Sequence, residues 1–380
     1  MRIAINALTV REGGGLVALE KLLTQFVRLK PEYEYYVIAS QTLPRLTCLD
    51  HETVRRCHFV WAERNLPMMS LWHLAVLPAW LRKNRIDVLF SQTCFLPPIG
   101  LKRSALLVQD ARYFFQTPTW NGNQSLKERL SFKLRRLWVY RSVAAADEVT
   151  VQTQALADLI ADCIPSASER IKVIPHGPGY LDKPRRREIR HLKPSDVFEL
   201  VYVALYRDHK NFTTLFHAVK LLRSRGIPVR LHLTLDPERP EVIALERKIN
   251  EIGVADWIVS HGQLDRSVLT DLYEDSHLFI FPSICESFGF PQVEAMAFGL
   301  PIIAADTPVN REVCASAALF FPPDDAHTLA RLVQRFYSHP EELAMASRLS
   351  TQRAASFDWR KAGGETLGWM TNGKGHNGRP

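Results

Sequence analysis

The chain has 380 residues, 46% of them apolar and 23% charged, which at about 100–200 residues per domain means two to three folded domains and excludes wholesale disorder or coiled coil. Its 48 basic residues outnumber 40 acidic ones, for a net charge of +8 and a pI near 9.2. That balance suits phosphates, nucleic acid or an anionic membrane face, and equally a plain soluble basic surface. Cys48, Cys57, Cys94, Cys163, Cys285 and Cys314 form no CxxC pair, so they read as reduced thiols of a cytosolic protein, with neither a zinc site nor a disulfide framework expected. The opening MRIAINALTV lacks a cleavage site, and Met68–Leu81, the most apolar stretch, falls short of the ~20 residues a bilayer needs. No signal peptide or membrane span is expected.

In chain order, the β-branched run Arg2–Asn6 predicts a strand, followed by Gly13-Gly14-Gly15 and a helix through Leu29. Tyr35–Ala39 predicts a strand, Ser70–Arg82 a helix, and Val88–Phe90 and Ala105–Val108 further strands. A long helix is expected over Ser125–Ala145, then a strand at Val149–Val151, a helix near Ala155–Asp162 and a strand at Ile171–Ile174. Pro175, Gly177, Pro178, Gly179 and Pro184 then break the rhythm, and a basic run from Lys183 to Lys193 follows, as in a linker. Beyond it, strands are expected at Leu200–Ala204, Arg230–Leu235, Trp257–Ser260, Leu278–Phe281, Pro301–Ala305 and Ala318–Phe321, with helices between them and two or three more from Ala326 to about Met370. Short apolar strands alternating with helices predict an α/β chain of two doubly wound, Rossmann-like domains facing a cleft. The expected domains are 1–178 and 196–355, with 179–195 as linker, a final helix 356–371 packing back on the first domain, and a disordered tail 372–380.

The stretch Phe281-Pro-Ser-Ile-Cys-Glu286-Ser-Phe-Gly-Phe-Pro291-Gln-Val-Glu294 places two glutamates eight apart across a strand-to-helix turn. Pro291 suits a first helical turn, so a helix begins near Gly289–Pro291, where backbone N–H groups and the dipole's positive end form an anion site. Glu286 then lies in the loop at the helix mouth and Glu294 about one turn inside. A carboxylate on each side of a phosphate suits a nucleotide-sugar. Taken without context, the same glutamates could merely complement the helix dipole.

That segment, extended through PSICESFGFPQVEAMAFGLPIIAAD, resembles the signature of retaining glycosyltransferase family 4, which has the GT-B fold. The resemblance continues in Tyr202-Val-Ala-Leu-Tyr-Arg-Asp-His-Lys210-Asn211-Phe, similar to a phosphate-binding segment opening the second domain. It extends to Ala146-Asp-Glu-Val-Thr-Val, to Arg170-Ile-Lys-Val-Ile-Pro175-His-Gly177, to MRIAINALTVREGGG and to Phe357-Asp-Trp-Arg-Lys. It implies that Glu294 holds the ribose hydroxyls, Glu286 the donor sugar and Lys210 the β-phosphate, with the Gly289 and Phe290 amides assisting. Lys210 would stabilise charge on the leaving diphosphate. Two departures stand out. Ala204-Leu205 replaces the Gly-Arg common in the family, so Arg207 is the candidate second cation, although a surface arginine reads as well. Gln109-Asp110 replaces the frequent His-Asp at the end of a first-domain strand, and glutamine hydrogen-bonds a hydroxyl but takes no catalytic proton.

Gly14 and Gly15 are candidate donor-binding positions, since glycines let amides approach a phosphate or sugar closely, though a flexible turn is the commoner reading. Gln109 and Asp110 are the acceptor-side candidates. There is no Walker A, D-x-D or HExxH sequence, so no metal and no cofactor is expected beyond the nucleotide-sugar as substrate. The resemblance implies retention of configuration, with the leaving diphosphate helping to deprotonate the acceptor. By analogy the acceptor is a sugar chain or lipid-linked oligosaccharide, as in bacterial surface-polysaccharide assembly. Lys127–Arg141 (KERLSFKLRRLWVYR) is basic, with Leu130, Leu134, Leu137 and Trp138 at helical spacing. It suits an anionic membrane surface, which would place the protein on the cytoplasmic face, or a core stripe with a solvated basic face. No nucleic-acid module is present. The alternatives are a nucleotide-sugar epimerase on a similar fold and a non-catalytic basic protein peripheral to membranes.

Overall fold

The structure is a computed structural model that describes residues 1–98, 102–115, 125–179 and 197–372. Most of the expected linker (179–195) and tail (372–380) lies outside the described residues. The chain divides into two compact units, Met1–Gly177 with Asp358–Pro380, and Pro178–Phe357.

The first unit carries β1 (Arg2–Ala7), β2 (Glu34–Ala39), β3 (Val54–Cys57), β4 (Val88–Ser91), β5 (Ser104–Leu107), β6 (Glu148–Val151) and β7 (Ile171–Val173). They form one parallel sheet in the order β3-β2-β1-β4-β5-β6-β7. β1, β4, β5 and β6 are buried on both faces apart from Arg2. Their near-continuous apolar runs are what a helix-covered parallel sheet requires. β3, which the sequence did not predict, reads Val-Arg-Arg-Cys with Arg55 and Arg56 exposed. Charge on an edge strand blocks further pairing and hides the apolar signal of a strand.

The closing helix Trp359–Asn372 belongs to this unit. Gly363 lets it approach the helix Gly13–Leu29 so closely that a Cβ there would lie 2.3 Å from Gln25 Cβ. Arg103 ties its end down by donating to the carbonyls of Trp369 and Thr371, at 3.4 and 3.0 Å. At its start, Trp359 packs on buried His176 with ring centroids 4.8 Å apart.

The helix expected at Ser70–Arg82 runs from Leu66 to Lys83 through one widened π turn at Trp72–Val76. Trp72 and His73, adjacent in sequence, are both buried there, and Pro78, which has no N–H to donate, follows in the next turn. The glycines Gly13–Gly15 form the first turn of their helix, with Gly13 at φ +66°, where a connecting turn was expected.

The second unit carries β8 (Phe198–Tyr202), β9 (Val229–Leu233), β10 (Ile258–Ser260), β11 (Leu278–Phe281), β12 (Ile302–Ala305) and β13 (Ala318–Phe321), parallel in the order β10-β9-β8-β11-β12-β13. Tyr202, Phe216, Tyr273, Phe279 and Phe281 are among the large side chains fully buried around it. In each sheet the winding reverses beside the first strand of the unit, between β1 and β4 and between β8 and β11. Open α/β sheets bind ligands beyond the carboxyl ends of the strands at that reversal.

Candidate active site

In the second unit the loops leaving β8 and β11 meet at the reversal. Ile284 N–H donates to the His209 carbonyl at 2.9 Å, and Ser283 Oγ donates to the same oxygen at 3.3 Å. Asn310, fully buried, donates to the Ser283 and Ala305 carbonyls at 3.2 and 2.9 Å. The β8 loop makes a single tight turn at Asp208–Lys210, and Asn211 takes the left-handed conformation, φ +54°, before the helix Phe212–Ser224. Asparagine is among the few non-glycine residues that tolerate this region.

This stitching brings Lys210 and Glu286 together. Lys210 Nζ lies 2.6 Å from Glu286 Oε1, with the side chains only 15% and 12% exposed. Beneath them, Tyr202 Oη donates to the Lys210 carbonyl at 3.2 Å. Burial, with the Glu286 carboxylate adding to it, holds the Tyr202 hydroxyl protonated well above the usual range. A half-buried pair of this kind is held more rigidly and screened less than a surface ion pair. Arg207, by contrast, is exposed, with Nη1 donating to the Tyr206 carbonyl at 2.9 Å.

The helix Phe290–Ala297 starts where Pro291 predicts. Gly289 stands at its N-cap with φ +82°, and a Cβ there would lie 2.6 Å from Gln292 Nε2 and 3.0 Å from Phe281 Cζ, so both backbone angle and space require glycine. Glu294, one turn in, is only 4% exposed. Its Oε2 accepts a 3.0 Å hydrogen bond from Tyr273. Burial and the carboxylate together push the Tyr273 hydroxyl well up, so it stays a donor. On the Oε1 side lies Gly179, where a Cβ would come within 1.6 Å. Around Glu294, Tyr273 and Gly179 are the residues that sequence reasoning missed. Tyr273 lies 21 positions before Glu294 on another helix, and Gly179 had been read only as linker punctuation.

In the first unit, Gly15 lies beside the loop after β5, where a Cβ would be 4.0 Å from Gln109 Oε1. Gly14 is half-exposed in the same first turn. Asp110 is engaged by Arg112, whose Nε and Nη2 donate at 2.8 and 2.6 Å, and it caps the turn that follows. A polar cluster not foreseen from sequence lies at the β1–β4 reversal. Asn6 Nδ2 reaches Ser91 Oγ at 3.3 Å, Thr93 Oγ1 at 3.2 Å and His73 Nε2 at 3.4 Å. Just past the ends of β4 and β6, the side-chain amides of Gln92 and Gln152 are buried with no partner on nitrogen or oxygen among the described residues. Buried amides are nearly always paired, so each of the two retains unused donor and acceptor capacity at a strand end.

His73 Nδ1 lies 2.9 Å from the Met69 carbonyl, which only accepts, so Nδ1 carries the proton and Nε2 is left to accept from Asn6. Burial lowers the His73 pKa from 6.5 to about 4, and that of His176 from 6.5 to about 3. Each ring is neutral when folded and binds a proton more readily when unfolded. Their stabilising effect is therefore complete above pH 6.5 and lost as pH falls toward 4 and then 3. Thermal melts should show the melting temperature dropping across this window, with His73→Gln flattening the drop; a melting temperature unchanged from pH 7 to 4 would contradict the burial.

The helix Leu126–Ala145 is closed at its start by a reciprocal Ser125–Glu128 capping box. Its leucines at 130, 134 and 137 do not join the core, but are exposed. Among the described residues, no helix is long and apolar enough to cross a membrane, and no group of three or more His, Cys, Asp or Glu is placed to hold a metal ion.

Two parallel sheets, each with its reversal point, are the two Rossmann-like domains of a GT-B protein. The model for Glycosyltransferase Family 4 matches residues 13–177, and that for Glycosyl transferases group 1 matches residues 185–353. Between them they cover most of the chain, which belongs to the GT-B glycosyltransferases. MMP alpha-(1->4)-mannosyltransferase of Mycolicibacterium hassiacum is 26% identical over 65% of this chain and 56% of its own length. Mannosylfructose-phosphate synthase of Agrobacterium fabrum is 25% identical over 62% of this chain and 54% of its own. The chain thus spans about half the length of these curated relatives. Among solved structures, sucrose-phosphate synthase from Thermosynechococcus elongatus superposes with TM-score 0.76 at 19% identity, covering 97% of both chains. Anabaena HepE in complex with UDP and glucose gives 0.73 at 18%, covering 98% of this chain and 100% of its own. These similarities establish the fold.

Proposed function

We propose that the chain transfers a glycosyl unit from a nucleotide-sugar to an acceptor hydroxyl, with retention of configuration and without a metal ion. The observation that carries this reading is the Lys210–Glu286 pair at the mouth of the helix led by Gly289, with Glu294 buried one turn behind. The diphosphate would sit on the Gly289 and Phe290 amides with Lys210 against its β-phosphate, and Arg207 would supply a second cation from the exposed side. Glu294 would take the ribose hydroxyls and Glu286 the donor sugar. As the bond from the anomeric carbon to the β-phosphate oxygen breaks, negative charge grows on that oxygen. A cation already in place then stabilises the transition state more than the ground state. The acceptor oxygen bonds to the anomeric carbon on the same face, and its proton passes to the departing phosphate. No histidine base is needed at Gln109, which with Asp110 would hold an acceptor hydroxyl.

The acceptor is a sugar chain, carried on a lipid at the inner face of a membrane. Support for this class comes from relatives such as O-antigen chain mannosyltransferase B of Escherichia coli, 25% identical over 44% of this chain. A panel of nucleoside diphosphates tests the donor half. At ~100 Kd the matching one should stabilise the protein by about 2.7 kcal/mol. Chelator should leave both this shift and donor turnover unchanged, whereas loss of turnover in EDTA with rescue by magnesium would overturn the metal-free mechanism.

A further inference from the structure

Among the described residues, the first unit has an apolar groove on its surface. The helix Leu126–Ala145 buries only Val139, Ser142 and Val143, while Leu130, Leu134 and Leu137 are 49–60% exposed. Across from it, Met68, Leu71 and Leu74 are exposed on the helix that contains the π turn. Seven of the fourteen exposed large hydrophobic residues among those described lie on these two segments. Clustering of this kind marks an interaction surface, unlike leucines scattered singly. Between the segments lies a cavity of about 460 Å³, walled by Leu74, Leu96, Leu137 and Trp138, with Arg135 and Arg141 also lining it. That volume is within the usual range for a small-molecule site. Trp138 is pinned by its Nε1–H, which donates to the Leu96 carbonyl at 3.2 Å.

Charge selects the occupant. The same helix carries Lys127, Arg129, Lys133, Arg135, Arg136 and Arg141 against the single acid Glu128. A second copy docking symmetrically would bring these cations face to face, which opposes self-association. An uncharged apolar ligand would leave the two arginines unused. We propose that the groove takes the hydrocarbon chain of a phosphate-bearing lipid, with Arg135 and Arg141 pairing the phosphate. The inference rests on the lipid-linked acceptor reading and gives that lipid a site: chain in the groove, phosphate on the arginines, attached sugar beyond.

The test is binding of farnesyl phosphate to the full chain without donor, so that its outcome is independent of glycosyl transfer. Farnesol and inorganic phosphate are the controls. One farnesyl phosphate per chain should bind, with farnesol at least about tenfold weaker and inorganic phosphate not saturating. Arg135→Glu with Arg141→Glu, and separately Leu134→Asp with Leu137→Asp, should each weaken binding about tenfold or more, since each removes one of the two attractions. All four side chains lie outside the core, and unchanged nucleotide-induced thermal shifts would show the variants folded. Equal binding of inorganic phosphate, wild-type affinity in both double variants, or a dimer in light scattering that Leu134→Asp with Leu137→Asp abolishes would each overturn the proposal.

Discussion

Lys210→Ala should lower kcat/KM by about 10²–10³-fold, the range seen when one preorganised donor to a developing anion is removed. Donor affinity should fall by much less, because charge on the diphosphate is larger in the transition state than in the bound donor. The substitution also leaves Glu286, 12% exposed, without its cation at 2.6 Å. An orphaned carboxylate could itself repel the diphosphate, so Lys210→Ala combined with Glu286→Gln separates the two effects. If charge repulsion were the cause, the double variant would regain turnover; on the present account it stays slow. Wild-type kcat/KM in Lys210→Ala would remove Lys210 from catalysis and turn attention to Arg207.

Glu294→Gln should weaken binding of the free nucleoside diphosphate, which carries the same ribose as the donor. Hydrogen bonds to a charged acceptor are worth roughly 1.5–3 kcal/mol, or about 10- to 150-fold in affinity. The glutamine keeps the volume beside Gly179 and an oxygen to accept from Tyr273, so the fold should hold. Glu294→Ala should give a comparable loss of affinity and, in addition, leave the buried Tyr273 hydroxyl without its acceptor, at a cost to stability of about 1–3 kcal/mol. Calorimetry on both variants with thermal melts distinguishes the roles. Unchanged diphosphate affinity in folded Glu294→Gln would make the carboxylate a structural partner of Tyr273 only.

The βα rhythm and the reversal-point loops were legible because local signals specify them. Pro291 sets the helix start, Gly289 its cap, and uninterrupted apolar runs such as Leu-Phe-Ile-Phe and Ile-Ile-Ala-Ala their buried strands. Glu286 and Glu294 could be singled out for the same reason, since each sits at a fixed offset from the helix start, whereas Lys210 was marked only by the resemblance of its segment to a family phosphate-binding loop. Contacts between distant segments were not legible. Nothing local announces that Tyr273 holds Glu294, that Gly179 lies against its other oxygen, or that Gln92 and Gln152 end up buried without partners among the described residues. β3 escaped because an edge strand has little apolar surface to show. The stripe Leu130–Leu134–Leu137 lies on one helix face as its spacing implies, but spacing says nothing about what covers a face, and the described residues leave this one exposed.

Supplying nucleotide-sugar labelled in the glycosyl unit, together with an oligosaccharide lipid acceptor, tests the central reading most directly. The account predicts label in the acceptor product with the donor's anomeric configuration, stoichiometric release of nucleoside diphosphate, and no dependence on divalent metal. Label recovered in an epimerised donor, or in unchanged donor with every nucleotide-sugar tried, would contradict it.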